Sequence, residues 1–251
     1  MLANILVLDE ASGEAPPNVE HGQDTIMLEN TTGSACDVEA LLRRIKGLDK
    51  IRALYIQGSS QLEDVQLARA LPGLVGLYVH GWKIRSLQGL DGFGGHWITV
   101  HTGKGGRRQK RSLAELKQAP FLSGLQVCWP QPEDNAAIGE LRRLKKLELY
   151  GCRDFDPAVL ASTPIESLRL PLASLTRLEN LRELSSLNHL AVFDCRKLER
   201  IEGEDSSLRE LLVQGCHQLG WDSISSFPAL RRAYLVGLKQ GIDVVRLFSS
   251  Q

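Results

Sequence analysis

The chain has 251 residues, of which 43% are hydrophobic, 24% charged and only 6% aromatic, enough apolar material for a large core and unlike a disordered or fibrous chain. Lys and Arg total 30, as do Asp and Glu, so the formal net charge is zero and offers no general electrostatic case for nucleic-acid binding. No stretch approaches the roughly 20 apolar residues of a membrane-spanning helix. The opening MLANILVLDEASGE has no basic leader and loses its apolar run at Asp9, so the protein is expected in the cytoplasm.

Along the chain one unit recurs, apolar-x-x-apolar-x-apolar. It begins at Leu2 (LANILV) and Gln23 (QDTIML), within a first 50 residues that carry nine acidic and four basic side chains. Clear copies follow at Ile51 (IRALYI) and Leu74 (LVGLYV), and a weaker one at Gly95 (GHWITV), with Ile98 and Val100 in the inner places. The series continues at Leu122, Leu144, Ile165, Leu187, Leu208 and Leu230. Successive starts are 21, 28, 23, 21, 27, 22, 21, 22, 21 and 22 residues apart. The two long intervals are read as insertions, one before Cys36 and one containing THTGKGGRRQKRS, where six basic residues and one acidic lie between Lys104 and Lys117.

The ninth position sharpens the pattern, being Cys152 in LKKLELYGC, Cys195 in LNHLAVFDC and Cys216 in LRELLVQGC. On these residues the chain resembles the leucine-rich-repeat family, whose unit is L-x-x-L-x-L-x-x-N/C-x-L. The resemblance implies an α/β solenoid with a curved parallel sheet on its concave face and short helices, 3₁₀ pieces and loops on the convex face. It implies a ninth residue that points inward and donates to backbone carbonyls. Ser59, Trp82, Gly103, Pro130, Ala173 and Leu238 depart from that ninth position. The domain is expected to run over 1–251, with 1–50 as capping units and 51–251 as regular repeats. Helical spacing predicts return segments over 36–45, 113–119 and 137–144, whereas 198–207 is expected as turns or 3₁₀ pieces. The five cysteines, at 36, 128, 152, 195 and 216, are odd in number and dispersed, a pattern of reduced thiols.

Strand alternation sends the fourth and sixth positions of each unit inward and the third, fifth and seventh outward. Read down the repeats, the third column contains Trp97, Lys146, His189 and Arg232. The fifth contains Tyr55, Tyr78, Glu148, Arg169 and Tyr234, and the seventh His80, His101, Tyr150 and Phe193. All four tyrosines thus fall in outward columns, and Tyr, Trp and Arg are the usual anchors of protein interfaces. These residues, with Lys104, Arg107, Arg108, Lys110 and Arg111 of the insertion, are the expected protein-binding set. The bland alternative is that the aromatics merely brace neighbouring rungs.

Catalytic signals are poor. GKGG at 103–106 lacks the spacing of a phosphate loop. Cys128 shares the seventh column with His80 and His101, but a catalytic thiol needs its pKa lowered, and no acidic residue of that column orients an imidazole. The basic run fits a solvated loop, a contact with an acidic protein, or nucleic acid, the last betrayed by steep salt dependence. No enzyme activity, cofactor or metal is expected. The reading is a protein-binding module, with an immunity protein that neutralises a cognate bacterial toxin as its sharper form. An adaptor or host-directed effector is the alternative, and a His/Cys enzyme comes last.

Overall fold

Every repeat contributes one short strand, because its fourth and sixth side chains are aliphatic and must leave water on the same face. The computed structural model describes residues 5–10, 18–20, 22–30, 37–58, 60–81, 83–101, 112–203, 206–220, 222 and 227–239, and the backbone of 244–247. The basic residues Lys104, Arg107, Arg108, Lys110 and Arg111, and Cys36, lie outside the described residues. The chain divides into two compact units, Met1–Leu122 and Ser123–Gln251.

The first unit holds strands β1 (Ile5–Asp9), β2 (Thr25–Glu29), β3 (Ala53–Ile56), β4 (Gly76–Val79) and β5 (Trp97–His101), adjacent in chain order and all parallel. Their inward residues are fully buried: Ile26, Leu28, Leu54, Ile56, Leu77, Val79, Ile98 and Val100 are all 0% exposed. Burying each such side chain contributes about 1.5–3 kcal/mol before entropy is charged. Helix α1 (Val38–Arg43) forms within the predicted return at 36–45. Asp37 caps it by accepting from the Ala40 amide at 2.9 Å, and Val38, Leu41 and Leu42 are its buried face. The return at 113–119 is a 3₁₀ helix, Ala114–Gln118.

One register differs from expectation. Pairing of Ile5 with Thr25 and Leu6 with Ile26 places Leu6 and Leu8 inward, whereas Val7 is 48% exposed. The first unit therefore starts at Ala3 rather than Leu2. In the continuous apolar run ILVL either alternation buries aliphatic side chains, and only pairing to β2 chooses the face.

The second unit holds β6 (Gly124–Cys128), β7 (Lys146–Tyr150), β8 (Ser167–Pro171), β9 (Arg177–Leu178), β10 (His189–Phe193), β11 (Arg200–Ile201), β12 (Glu210–Gln214), β13 (Arg232–Val236) and β14 (Val244–Leu247). The main sheet runs β6-β7-β8-β10-β12-β13-β14, parallel but for the antiparallel β13–β14 pair. Strands β9 and β11 make a separate two-stranded parallel sheet. The 198–207 segment thus includes a strand where turns were expected, since Ile201 is buried and pairs with Leu178. Helix α2 (Asp134–Gly139) begins before the expected 137–144. Its buried first residue, Asp134, turns back to accept from the Gln131 amide at 2.8 Å, a contact that ties the helix start to the preceding turn. Both units have a leucine-rich-repeat fold: one strand per repeat, parallel pairing, leucines inward, and short helices or 3₁₀ turns in the return.

Candidate functional site

In the first unit the outward columns of β2–β5 carry no Lys or Arg, and those of β3–β5 hold five rings, Tyr55, Tyr78, His80, Trp97 and His101. Tyr55 and Tyr78 face each other across β3 and β4 with ring centroids 4.0 Å apart and planes 2° from parallel. Gly76 makes this possible, because the Tyr78 ring leans over it: a Cβ there would stand 3.2 Å from Cε2. Burial, then a hydrogen bond to Tyr78, pushes the Tyr55 hydroxyl up to about 12. One column over, His80 and His101 stack at 3.9 Å with planes 26° apart. Trp97 is half-buried and donates from Nε1 to Thr99 Oγ1 at 3.1 Å.

The second unit presents ion pairs instead. Glu148 accepts from Gln126 Nε2 at 2.9 Å and pairs with Arg169 Nη1 at 3.2 Å. Arg169 also lies over Phe193, 5.4 Å from its ring centre. Glu210 pairs with Arg232 at 3.0 Å. His189 shares a hydrogen bond with Ser167 at 3.2 Å, and partial burial holds its pKa below the ordinary value. Lys146 is exposed, Tyr150 is half-buried and Tyr234 is 43% exposed. The predicted residues are thus on the outward face of each unit where the structure describes them.

A further column was not visible in the period-two reading. In the second unit the eighth residue of six successive repeats is left-handed: Trp129, Gly151, Leu172, Asp194, Gly215 and Gly237 have φ between 53° and 69°. The conformation turns the chain out of the strand while the amide still bonds the next rung. Trp129 N donates to Tyr150 O at 2.6 Å, Gly151 N to Pro171 O at 2.8 Å, Leu172 N to Phe193 O at 2.7 Å and Asp194 N to Gln214 O at 2.7 Å. Glycine adopts this shape freely, whereas an L side chain costs roughly 1–2 kcal/mol there. Yet Trp129 and Leu172 hold it while 42% and 37% exposed. The Trp129 ring lies over Gly151, where a Cβ would come within 2.3 Å, and its edge meets Tyr150 at 5.5 Å and 80°. The glycines and aspartate at this position were the sequence signal, and Trp129 and Leu172 break it.

The four described thiols are buried. Cys195 Sγ donates to Leu170 O at 3.2 Å and Phe193 O at 3.4 Å, and Cys216 Sγ to Gln214 O at 3.6 Å, as the ninth-position reading expected. Cys128, placed outward in the seventh column by the sequence, is only 3% exposed. Its short side chain is opposite the much larger Tyr150 on the next rung. Burial, then the charge of Glu148, pushes its thiol up to about 12, opposite to the shift an attacking thiolate needs. The His/Cys column therefore loses its nucleophile.

No protein-family model and no curated protein matches this sequence. Among solved structures, similar ones include an internalin, InlF, from Listeria monocytogenes, at 18% identity and a TM-score of 0.49, over 86% of this chain and 68% of that one. Another is the functional domain of InlJ from Listeria monocytogenes, described as including a cysteine ladder, at 12% identity and a TM-score of 0.39, over 86% of this chain and 54% of that one. The repeat period, the inward leucine columns and the rung-by-rung parallel pairing are this chain's own features, and by them each unit has a leucine-rich-repeat fold.

Proposed function

We propose that this chain is a non-enzymatic protein-binding module, and that its specific role is that of an immunity protein which sequesters and neutralises a cognate bacterial toxin. In this proposal residues 1–251 form one repeat domain capped by its first 50 residues, and it acts in the cytoplasm. The observation that carries the binding reading is the outward face itself, where aromatic, histidine and arginine side chains stand half-exposed on regular rungs. Such side chains combine apolar area with a polar end and are the commonest anchors of interfaces. A specific interface buries roughly 800 Å² per partner, which a few adjacent rungs can offer. The toxin reading adds that a tight binder need only cover the partner's active site, which requires no catalytic group of its own.

The test is affinity capture by the full chain from its native cells, followed by mass spectrometry and by expression of the captured partner alone. A stable protein partner that is toxic alone and harmless with this chain supports the proposal. A harmless partner points to an adaptor, and failure to recover any stable partner overturns the binding reading.

A further inference from the structure

The fifth column of the first unit is a continuous apolar ridge. Val7, Met27, Tyr55 and Tyr78 pair rung to rung across β1–β4, Val7 exposed and the other three half-buried. Two residues further along β1 and β2, on the same outward face, stand Asp9 and Glu29, paired with each other across the two strands. Like charges directly opposite on neighbouring strands weaken a sheet. No Lys or Arg on the outward positions of β1–β5 relieves this pair, and Glu29 makes no ion pair among the described residues. The next residue, Glu10, adds a third acidic side chain, buried and bonded to Ser60, Gln61 and Asn30. A charge conflict that the fold leaves standing is a functional signal, since proteins break local rules chiefly at working sites.

The cations of the first unit lie elsewhere. Arg52 is at the other end of the strands, about 16 Å from Glu29, where it donates to Gly73 O one rung from Asp24. Lys83 follows β4, two rungs or about 10 Å from β2. Both separations exceed the screening length of about 8 Å at physiological salt. His80 and His101 are two and three rungs from Glu29, and the basic residues Lys104 to Arg111 follow β5 in sequence. An occupant of this corner must therefore carry an apolar stem that ends in positive charge. Residues two apart on one strand face are about 7 Å apart, a span that a Lys or Arg stem covers. We infer that this ridge is a docking site for a basic segment of a protein partner, whose Lys or Arg stems lie along Val7 and Met27 and whose charged ends meet Asp9 and Glu29. The inference rests on the protein-binding reading above and names the chemistry of the partner.

The test pans a random peptide display library on the full-length chain and maps the enriched peptides by carbodiimide coupling, which joins a peptide Lys to a carboxylate that it touches. Peptides that combine Lys or Arg with aliphatic residues are expected, coupled at Asp9 or Glu29 and weakened by added salt. Glu29→Gln should lower their affinity about tenfold, while the melting temperature holds or rises because the like-charge pair is relieved. Val7→Thr, close in shape but polar, should weaken binding by a smaller factor, and Glu29→Lys should turn the preference toward acidic peptides. Should Glu29→Gln also lower the melting temperature, the coupling map decides: peptide Lys on Asp9 or Glu29 upholds the site and coupling elsewhere overturns it. Enrichment of neutral or acidic peptides, or basic binders indifferent to both Glu29→Gln and Val7→Thr, overturns the docking ridge while leaving the protein-binding reading intact. Displacement of the basic peptides by calcium at constant ionic strength, with no effect of Val7→Thr, would make the carboxylate pair a simple cation site, also overturning it. If no peptide is enriched the docking ridge fails, and capture from native cells decides the wider reading independently.

Discussion

The two units build the same strand and end it differently. In the second unit the eighth residue is left-handed and its side chain stands outside, as in Trp129 and Leu172. In the first unit none of the described eighth residues, Glu10, Asn30, Gly58 and Gly81, is left-handed, and Glu10 and Asn30 are 1% and 6% exposed. Glu10 there accepts from Ser60 Oγ, from the Gln61 amide at 2.8 Å and from Asn30 Nδ2 at 3.4 Å, so one buried carboxylate ties three rungs together. The outward faces diverge in the same way, flat ring stacks without Lys or Arg in the first unit, ion pairs and an arginine over a ring in the second. A repeat therefore fixes where a side chain is anchored, while the turn that follows decides whether position eight serves the core or the surface.

The comparison can be broken at several points. The largest effects belong to what the units share: Leu54→Ala in the first and Leu147→Ala in the second, 0% and 2% exposed, should each cost about 2–5 kcal/mol in urea unfolding. A neutral result in either would mean that its register is wrong. Next, Glu10→Ala should cost on the order of 3 kcal/mol by orphaning buried donors, as unmade bonds to a charged group do. No eighth residue of the second unit should match that loss. Gly151→Ala should cost about 1–2 kcal/mol for the left-handed backbone alone, and more as the Trp129 ring is displaced. Gly81→Ala, free of that backbone penalty and with isoleucine side-chain atoms as the nearest neighbours of the new Cβ, should cost less in the same melting experiment.

Smaller effects concern the faces. Tyr78→Ala should cost about 0.5–1.5 kcal/mol for the lost stacking, in addition to buried area. It should also bring the ultraviolet titration of Tyr55 down from about 12 toward the ordinary 10. Tyr78 stacks on Tyr55, a contact that the outward column alone did not show, whereas Tyr234→Ala, at 43% exposure, should change stability by less than about 0.5 kcal/mol. The least is expected of pH. His189 has a folded pKa below its ordinary 6.5, so the unfolded chain binds the proton more readily. Its contribution is complete above that ordinary value and is lost as pH falls below 6.5 toward the folded pKa. His189→Gln should flatten that part of the stability profile in thermal melts.

The inward leucines and the ninth-position cysteines were legible because their period survives any choice of return structure. The outward residues were legible as columns, but not as contacts: nothing in their order says that Tyr55 stacks on Tyr78 or that Arg169 reaches both Glu148 and Phe193. Cys128 keeps its place in the seventh column, opposite Tyr150, but its burial there was not legible, because burial depends on neighbours across the rung as much as on strand parity. The β9–β11 pair escaped notice because two residues are too short for a period.

By itself, then, the sequence determined a leucine-rich-repeat fold, which residues of most rungs face the core, and that its outward columns hold aromatic and charged side chains. Those follow from local alternation and from the free energy of burying aliphatic groups. Tertiary structure alone decided the register of the first rung, the burial of Glu10 and Cys128 and the left-handed column that turns Trp129 and Leu172 outward. Each of these depends on a hydrogen bond or packing partner about 20 or more residues away, and a pattern read along one strand contains no information about the next.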